Sequence, residues 1–398
     1  MMHIFLNGLG ASAGGGLTYI RNVLPYLSRA GVRATVGLTT DVELAPHDNV
    51  EYIRIRAGAG AASRVWFEQR KLAKLIRECA ADLLICAGNF ALRRSPVPQI
   101  LLSRNSLYTS ADFPRDLMCR REYGMWLETR IKAALAKKSI QWADCTVAPS
   151  HAFAHDLERW TGQPIVPIHH GFDPELFTAD RHPLPEKVCA LLRVPPGTER
   201  ILLVSHYNYY RNFETVFRAI AGLIRQSGLP PVRLFLTCEL RKEKTPGAYN
   251  PRAAAKLIQR LGLREHVVEL GAVSYQQLHH LYRSCDLYVT AAYTETFAHP
   301  LVEAMSCGLP VIASDLAVHR EICGDAAMYF PRFEPQELAA QIARLSNSVP
   351  MREALAASGR KRSQAFSWRS HVEQMLAVAE RLIAHSAAAS LVGSAAAA

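Results

Sequence analysis

Residues 287–314 read LYVTAAYTETFAHPLVEAMSCGLPVIAS. The short apolar run at 287–291 predicts a β-strand, and the helical pattern at 300–306 places Pro300 in a first turn, where proline is well tolerated. A second apolar run at 311–314 predicts another strand. A strand, a helix and a strand in this order predict a βαβ unit, and therefore a parallel sheet.

The same alternation of short strands and amphipathic helices continues along the rest of the chain. It predicts further strands at 3–7, 33–38, 51–55, 82–86, 99–103, 145–148, 167–169, 201–205, 232–237 and 267–270. Helices are predicted between them at 17–29, 63–79, 116–142, 213–226, 252–261 and 275–284. The predicted fold class is therefore α/β, with two doubly wound parallel sheets that carry helices on both faces.

The chain has 398 residues, which is too long for one ordinary domain. Strand signals are sparse where prolines cluster after residue 173, so this stretch is expected to link two domains. The Ala/Ser-rich end is expected to be a flexible tail, after a helix that returns to the first domain. The predicted boundaries are 1–173 for the N-terminal domain, 174–199 for the linker, 200–365 for the C-terminal domain, 366–385 for the last helix and 386–398 for the tail.

The composition is that of a folded protein, because 49% of the residues are hydrophobic and 20% are charged. No apolar run approaches the ~18 residues that a spanning helix needs, which excludes an integral membrane protein. The nine cysteines are scattered without a Cys-x-x-Cys pair, so neither a disulfide framework nor a structural zinc site is indicated. With no export signal at the start, the expected location is the cytoplasm.

The net charge of +11 suits anionic partners, which include nucleic acids, anionic lipids and phosphorylated small molecules. Nucleic acid is not expected, because basic runs are short and no aromatic residues alternate with them. The basic segment 116–142 leaves two interpretations open. It is either a solvated helix face or a surface that rests on the inner face of an anionic membrane.

Three consecutive glycines, Gly14, Gly15 and Gly16, follow the first predicted strand and precede a helix. Bare backbone N–H groups at a helix start favour a phosphate, although a plain tight turn explains the same residues. The spacing fits neither the dinucleotide-binding Gly-x-Gly-x-x-Gly motif nor a P-loop.

Two glutamates flank the helix start within the opening stretch. Glu295 falls in the loop after a predicted strand, where open parallel sheets bind ligands, and Glu303 lies one turn into the next helix. The backbone amides of Phe297, Ala298 and His299 between them suit an anion. A glutamate that caps the helix and a second glutamate exposed on it would be the alternative explanation. Alanine at 298 is expected to keep a negative φ.

Residues 204–213, VSHYNYYRNF, follow the first strand of the second predicted domain. Arg211 offers a forked cation that suits two phosphate oxygens. His206 lies at the strand end, where a neutral imidazole supplies one hydrogen bond but no fixed charge.

The spacing from Glu295 to Glu303 resembles the Glu-x7-Glu motif of retaining glycosyltransferases with the GT-B fold, of glycosyltransferase family 4. The resemblance covers essentially the whole chain and is most specific in its carboxyl-terminal part. It includes GLPVIASD at 308–315, EICGDAA at 321–327, HHGFD at 169–173 and FSW at 366–368. It implies GT-B architecture, in which two Rossmann-like domains face each other across a cleft.

The resemblance also implies roles for the residues above. Glu295 would hold the sugar near the reacting carbon, Glu303 would bind the ribose, and the three glycines would face the diphosphate. Arg211 would neutralise the departing diphosphate, since Arg211-Asn212 matches the Lys-Asn usual in the family. His206 stands where the family usually has arginine, and Ala298 where glycine is common.

The acceptor side is less defined. Arg104 and Asn105 follow a predicted strand, and His170 lies at the domain junction. These three residues are the acceptor-side candidates, and the acceptor itself would be a glycan or a lipid-linked molecule.

The expected activity is transfer of a sugar, with retention of configuration, from a UDP- or GDP-type donor to an acceptor hydroxyl in glycan, polysaccharide or glycolipid biosynthesis. No metal or other cofactor is expected, because the sequence has no Asp-x-Asp motif and no His/Glu cluster with metal-ligand spacing. A non-catalytic subunit with this fold and a nucleotide-sugar epimerase are the alternatives.

Overall fold

The computed structural model describes residues 1–10, 14–40, 42–56, 61–242 and 249–395. The chain divides into two compact units, each built from separate stretches of sequence. Unit 1 comprises Met1–Thr109, Leu127–Gly171 and Ser367–Ala398. Unit 2 comprises Ser110–Trp126 and Phe172–Phe366.

Unit 1 contains a parallel sheet of seven strands within its described residues, in the order β3-β2-β1-β4-β5-β6-β7. The strands are β1 (His3–Asn7), β2 (Arg33–Thr39), β3 (Val50–Ile55), β4 (Leu83–Cys86), β5 (Gln99–Leu102), β6 (Cys145–Ala148) and β7 (Val166–Pro167). Central strands such as β1 and β4 are buried along their whole length, as expected where helices cover both faces.

Unit 2 contains a second parallel sheet, with six strands in the described part, in the order β10-β9-β8-β11-β12-β13. The strands are β8 (Glu199–Leu203), β9 (Val232–Leu236), β10 (Val267–Glu269), β11 (Leu287–Thr290), β12 (Val311–Ser314) and β13 (Ala327–Phe330). The two parallel sheets confirm the predicted α/β class. The edge strand β13 was not predicted, because its four residues follow Gly324 and precede Pro331 without an alternating pattern.

Helices connect the strands in both units. They are α1 (Gly14–Arg29), α2 (Ala61–Phe67), α3 (Ala73–Glu78), α4 (Asp112–Cys119), α5 (Tyr123–Trp142), α6 (His151–Thr161), α7 (Pro174–Phe177), α8 (Glu186–Leu191), α9 (Phe213–Leu223), α10 (Arg252–Arg260), α11 (Leu278–Arg283), α12 (His299–Ser306), α13 (Ala317–Cys323), α14 (Pro335–Ser346), α15 (Val349–Ser363) and α16 (Trp368–Ala395). No helix among the residues described has the length and apolar character needed to span a lipid bilayer.

The stretch predicted as a linker, 174–199, is instead part of unit 2. It forms α7 and α8, and Phe177, Leu184 and Val188 are buried in the same core as strands β8 and β11. The prolines start these helices, since Pro174 occupies the first turn of α7 and Pro185 precedes α8. The change from unit 1 to unit 2 falls between Gly171 and Phe172.

The segment predicted as one helix, 116–142, is divided into α4 and α5. The break lies at Arg121, whose φ of 62° is left-handed and stops a right-handed helix. The division matters for the fold, because Ser110–Trp126 belongs to unit 2 while the chain on either side of it belongs to unit 1.

The last helix belongs to unit 1, where Trp368, Val372 and Met375 are buried with residues of β1, β4 and α1. It continues to Ala395, through most of the stretch predicted as a flexible tail. Alanine has the highest helix propensity of all residues, so an Ala-rich end extends a helix that is already formed.

Candidate functional site

Two loops at the carboxyl edge of the unit 2 sheet carry Arg211 and Glu295. In the first, after β8, Asn208 accepts a hydrogen bond from the Arg211 amide (3.1 Å) and thereby caps a short turn. In the second, after β11, the Tyr293 amide donates to the Tyr210 carbonyl (3.0 Å). The two loops are therefore joined directly beside the two charged residues.

Arg211 and Glu295 form an ion pair, in which Arg211 Nη1 donates to Glu295 Oε1. Their side chains are 20% and 9% exposed. Burial alone would lower the pKa of Arg211, but the carboxylate of Glu295 raises it, so the guanidinium stays charged. The buried Arg211 Nε has no hydrogen-bond partner among the described residues, which leaves it as a donor for an anion.

Glu303 lies on α12, where it is 5% exposed and accepts a hydrogen bond from the Tyr282 hydroxyl (2.9 Å). Burial raises its pKa to about 7, and the Tyr282 hydrogen bond opposes that rise. The alternative explanation of an exposed helical glutamate is therefore wrong for Glu303. The residues around it in sequence, Leu301, Val302, Ala304 and Met305, are buried as well.

The three charged residues all act electrostatically on one phenol. Tyr288 on β11 is buried, and burial raises the pKa of its hydroxyl. Arg211 lowers that pKa while Glu303 and Glu295 raise it, so all three lie within electrostatic reach of Tyr288. The structure thus places Arg211 and Glu295 in contact, and Glu303 within electrostatic reach of the same tyrosine in unit 2.

The backbone at the start of α12 departs from the expectation of a negative φ. Ala298 has φ 64° and ψ 62°, which is the left-handed conformation. Phe297 is buried with its ring against Phe366 (5.3 Å between centroids), and His299 begins the helix. These contacts hold Ala298 in a conformation that an L-residue adopts at a cost of roughly 1–2 kcal/mol.

Replacing Ala298 with glycine is therefore expected to raise the free energy of unfolding by about 0.5–1 kcal/mol, because relief of the left-handed strain exceeds the entropy that glycine loses. Ala304→Gly is the matched control in the interior of the same helix, where the same change should lower stability by about 1 kcal/mol. Urea denaturation of both variants measures the two effects. A stability loss in Ala298→Gly would contradict the strain.

His319 was not singled out from the sequence, although it is close to Glu321. It is buried on α13, and its Nδ1 donates to the Ser314 carbonyl (2.8 Å). Its Nε2 therefore carries a lone pair, and within the described parts of the chain this buried atom has no hydrogen-bond partner. Burial lowers the pKa of His319 to about 4, while Glu295 opposes the shift, so the ring is neutral at pH 7.

His206 is exposed at the end of β8. Its backbone carbonyl accepts hydrogen bonds from Ser205 Oγ (2.7 Å) and Asn208 Nδ2 (3.3 Å), so the turn before Arg211 is fixed at this residue. The imidazole is exposed, and its role in donor binding stays a prediction.

The three glycines lie in unit 1, where Gly14–Gly16 form the first turn of α1 and not a loop before it. The residues preceding them, 11–13, lie outside the described residues. The first amides of a helix have no intrahelical partner, so this position still offers N–H donors to an anion.

The acceptor-side candidates, also in unit 1, have partners within that unit. The guanidinium of Arg104 lies over the ring of Tyr19 (4.8 Å) and donates to the Ala87 carbonyl. Asn105 Oδ1 accepts from the Leu107 amide (3.1 Å) and caps a short turn. His170 is buried, and its ring contacts Tyr19, Trp368 and His371. Their role towards an acceptor stays a prediction.

Comparison with known families covers most of the chain. Residues 192–362 match the family described as "Glycosyl transferases group 1", and residues 13–176 match "Glycosyltransferase Family 4". The chain belongs to the group 1 glycosyltransferases of the GT-B fold. This confirms the family that the sequence motifs indicated.

Solved structures of low sequence identity share the fold of this glycosyltransferase. Sucrose-phosphate synthase from Thermosynechococcus elongatus has a TM-score of 0.75 and 21% identity, over 97% of this chain and 100% of that one. HepE from Anabaena, in complex with UDP and glucose, has a TM-score of 0.69 and 19% identity, over 96% and 100% of the two chains.

Curated relatives match over shorter stretches. The O-antigen chain mannosyltransferase B of Escherichia coli is 31% identical over 122 residues, which is 30% of this chain and 32% of that protein. A D-inositol 3-phosphate glycosyltransferase of Corynebacterium aurimucosum is 23% identical over 257 residues, or 62% and 59% of the two proteins. The chain thus spans about a third to three fifths of the length of these relatives.

Proposed function

We propose that this glycosyltransferase transfers a sugar from a UDP- or GDP-type donor to the hydroxyl of a glycan or lipid-linked acceptor, with retention of the anomeric configuration. The observation that carries the proposal is the Arg211–Glu295 pair at the carboxyl edge of the unit 2 sheet, with Glu303 in the same electrostatic neighbourhood. Ligands bind at this edge in open parallel sheets. The complexes of HepE with UDP and with UDP-glucose support the donor class.

In this proposal donor binding breaks the ion pair between Arg211 and Glu295, and each side chain binds a different part of the donor. Glu295 accepts hydrogen bonds from sugar hydroxyls, and Arg211 donates to the diphosphate through Nε, which is unpartnered among the described residues, and through its Nη groups. Arg211 exchanges one anionic partner for another, and Glu295 exchanges its cation for hydrogen bonds from neutral hydroxyls, so neither is left without a hydrogen-bond partner in a partly buried site.

The proposed reaction forms a bond between the acceptor oxygen and the anomeric carbon, and breaks the bond between that carbon and the diphosphate oxygen. The acceptor attacks from the face that the diphosphate leaves, and its proton passes to the departing diphosphate oxygen. Negative charge develops on the diphosphate as the bond breaks. A guanidinium held at this position stabilises the transition state more than the ground state.

We propose that Arg211 and the backbone amides near the start of α12 stabilise the leaving group, so that no metal ion is required. The chain has no Asp-x-Asp motif for a metal–diphosphate clamp. Transfer should therefore proceed at an unchanged rate after treatment with EDTA. Loss of activity that Mg²⁺ or Mn²⁺ restores would contradict this part of the proposal.

The experiment that tests the function combines ligand binding with product analysis. Thermal shift against UDP, GDP, ADP and CDP identifies the nucleotide, and the matching nucleotide sugars are then offered with acceptor glycans or polyprenyl-linked sugars. Nuclear magnetic resonance of the product reports its anomeric configuration. A product with inverted configuration would contradict retention. Nucleotide binding without transfer or hydrolysis would indicate a non-catalytic subunit. Conversion of the donor into an epimer would indicate an epimerase.

A peripheral contact with an anionic membrane is also proposed, on the α5 surface within unit 1. Leu127 and Ile131, four residues apart on one helix face, are 55% and 61% exposed. Arg130 and Lys138 are exposed on the same helix, so apolar contact is combined with attraction to anionic headgroups.

The double variant Leu127→Gln/Ile131→Gln is expected to bind phosphatidylglycerol vesicles at least about tenfold more weakly, because it removes the apolar contact without changing the charge. Glu128→Gln is the matched control on the same helix, and it should not weaken binding. Vesicle co-sedimentation measures both variants. Equal binding of the native protein to neutral and anionic vesicles would contradict the proposal.

A further inference from the structure

A network of hydrogen bonds joins α4 to both loops of the candidate site, within unit 2. Asp116 accepts from the Tyr293 hydroxyl through Oδ2 (2.8 Å) and from Arg120 Nε through Oδ1 (2.7 Å). Arg120 Nη1 donates to Glu214 Oε1 (3.0 Å), and the Tyr207 hydroxyl donates to the same oxygen (3.0 Å). One carboxylate on α4 thus links the loop after β11 to the loop after β8.

The network is well shielded from solvent. The side chains of Asp116, Arg120 and Glu214 are 22%, 20% and 11% exposed, and the ring of Tyr209 lies 4.2 Å below the Arg120 guanidinium. Two carboxylates raise the pKa of Arg120 against the lowering effect of burial, so it is a permanent cation. Hydrogen bonds between charged groups in such surroundings are stronger and more directional than those on an open surface.

The anchored residues are immediate neighbours of the predicted catalytic pair. Tyr293 precedes Glu295 by two residues, and Tyr210, whose ring contacts Phe113 of α4 (6.4 Å), precedes Arg211. The network therefore fixes the backbone on which each of the two charges is mounted. Misplacement of reacting groups by about 1 Å costs about 10²-fold in rate, so this anchoring bears on catalysis.

We propose that Asp116 is a positioning residue, which acts through Tyr293 and Arg120 to hold the loops of Glu295 and Arg211 in register. The proposal rests on the function proposed above for that pair. It assigns a role in the donor site to α4, a segment that precedes the rest of unit 2 in the chain and that the sequence placed in the first domain.

Asp116→Ala and Tyr293→Phe are each expected to lower kcat by about 10- to 100-fold, with a smaller change in donor KM. In the Glu295→Gln background, Asp116→Ala should add less than about threefold, because its effect passes through Glu295. Leu117→Ala is the matched control: it removes a buried side chain of α4 and leaves the hydrogen bonds in place. Multiplicative losses in the double variant, or an equal loss of kcat in the control, would overturn the proposal.

Amide hydrogen exchange tests the positioning independently of turnover. Asp116→Ala should exchange at least about tenfold faster at 207–213 and 291–298 than the native protein, because the bond to Tyr293 is lost and Arg120, which binds Glu214, loses a carboxylate that orients it. Leu117→Ala should not produce this paired effect. If neither the native protein nor any variant transfers sugar, but Asp116→Ala still speeds exchange in both loops, the proposed function fails and the positioning role stands. Unchanged exchange in both loops overturns the positioning itself.

Discussion

The variant Arg211→Gln is expected to transfer sugar about 10²–10³-fold more slowly than the native enzyme, because it removes the cation that faces charge developing on the diphosphate. The loss should appear mainly in kcat, since the interaction is stronger in the transition state than with bound donor. Steady-state kinetics with the donor identified by thermal shift measures it. Arg211→Lys keeps the charge but not the fork, and an intermediate rate is expected.

The same substitution has a consequence for stability. It leaves Glu295, which is 9% exposed, without the guanidinium that neutralises it, and breaking such a pair costs about 3 kcal/mol. In the double variant Arg211→Gln/Glu295→Gln the two amides are neutral, so most of this stability should return. Activity should not return, because both functional groups are absent.

The double variant separates the two roles of the pair. Stability that recovers while transfer stays lost means that the charges act in catalysis beyond their contribution to folding. Native turnover in Arg211→Gln, with nucleotide binding also unaffected, would remove Arg211 from the mechanism. Recovery of transfer in the double variant would show that the single variant failed only because of an unpaired carboxylate.

Local pattern was sufficient to predict most of the fold. Strands β1, β6 and β12 have the predicted bounds, because each is a short apolar run between turn residues. The prolines after residue 173 were misleading, since the same residue type that favours a linker also begins α7 and precedes α8. The placement of α4 in unit 2 depends on side chains such as Asp116 and Arg120, whose partners are about 90 or more residues away in sequence.

The sequence indicates single candidate residues of the site, but it does not indicate which of them contact each other. Motif resemblance identified Glu295, Glu303 and Arg211, yet no local signal shows that Arg211 pairs with Glu295, 84 residues later. The burial of Glu303 had a signal that was overlooked, because a helix with apolar residues on both sides of a glutamate has no solvent-facing side. The partner Tyr282 lies on another helix and had no signal.

Glu303 is expected to make the ligand-free enzyme less stable as the pH rises from about 4.5 to about 7. Its pKa is raised by burial, so in this range the unfolded chain releases a proton that the folded protein retains. The unfolding free energy therefore falls by about 3 kcal/mol across the window and changes no further above it. Glu303→Gln should abolish this part of the pH dependence and be about 3 kcal/mol more stable than the native protein at pH 8.

Burial causes the rise in the pKa of Glu303. Tyr275, Tyr282, Tyr288 and Cys307 interact with it electrostatically, and none of these side chains is a cation. Tyr282→Phe removes the hydrogen bond that favours the carboxylate, so it should extend the loss of stability to a higher pH. Urea denaturation at pH 5 and pH 8 measures all three proteins. Equal pH dependence in the native protein and Glu303→Gln would contradict the assignment.

Donor binding should act on the same proton. Ribose hydroxyls donate to a carboxylate but not to both oxygens of a carboxylic acid, so the proposed ligand binds the ionised form of Glu303. Nucleotide binding at pH 6 should then release nearly one proton, and Kd should fall by about tenfold per pH unit until the pKa near 7 is reached. Calorimetry in buffers of different ionisation enthalpy counts the proton, and Glu303→Gln is the control that should release none. A ligand site can bury a carboxylate at a cost in stability that ligand binding offsets, and the native protein should then release a proton that Glu303→Gln does not. If Glu303 is purely structural, both proteins should release the same number of protons on binding.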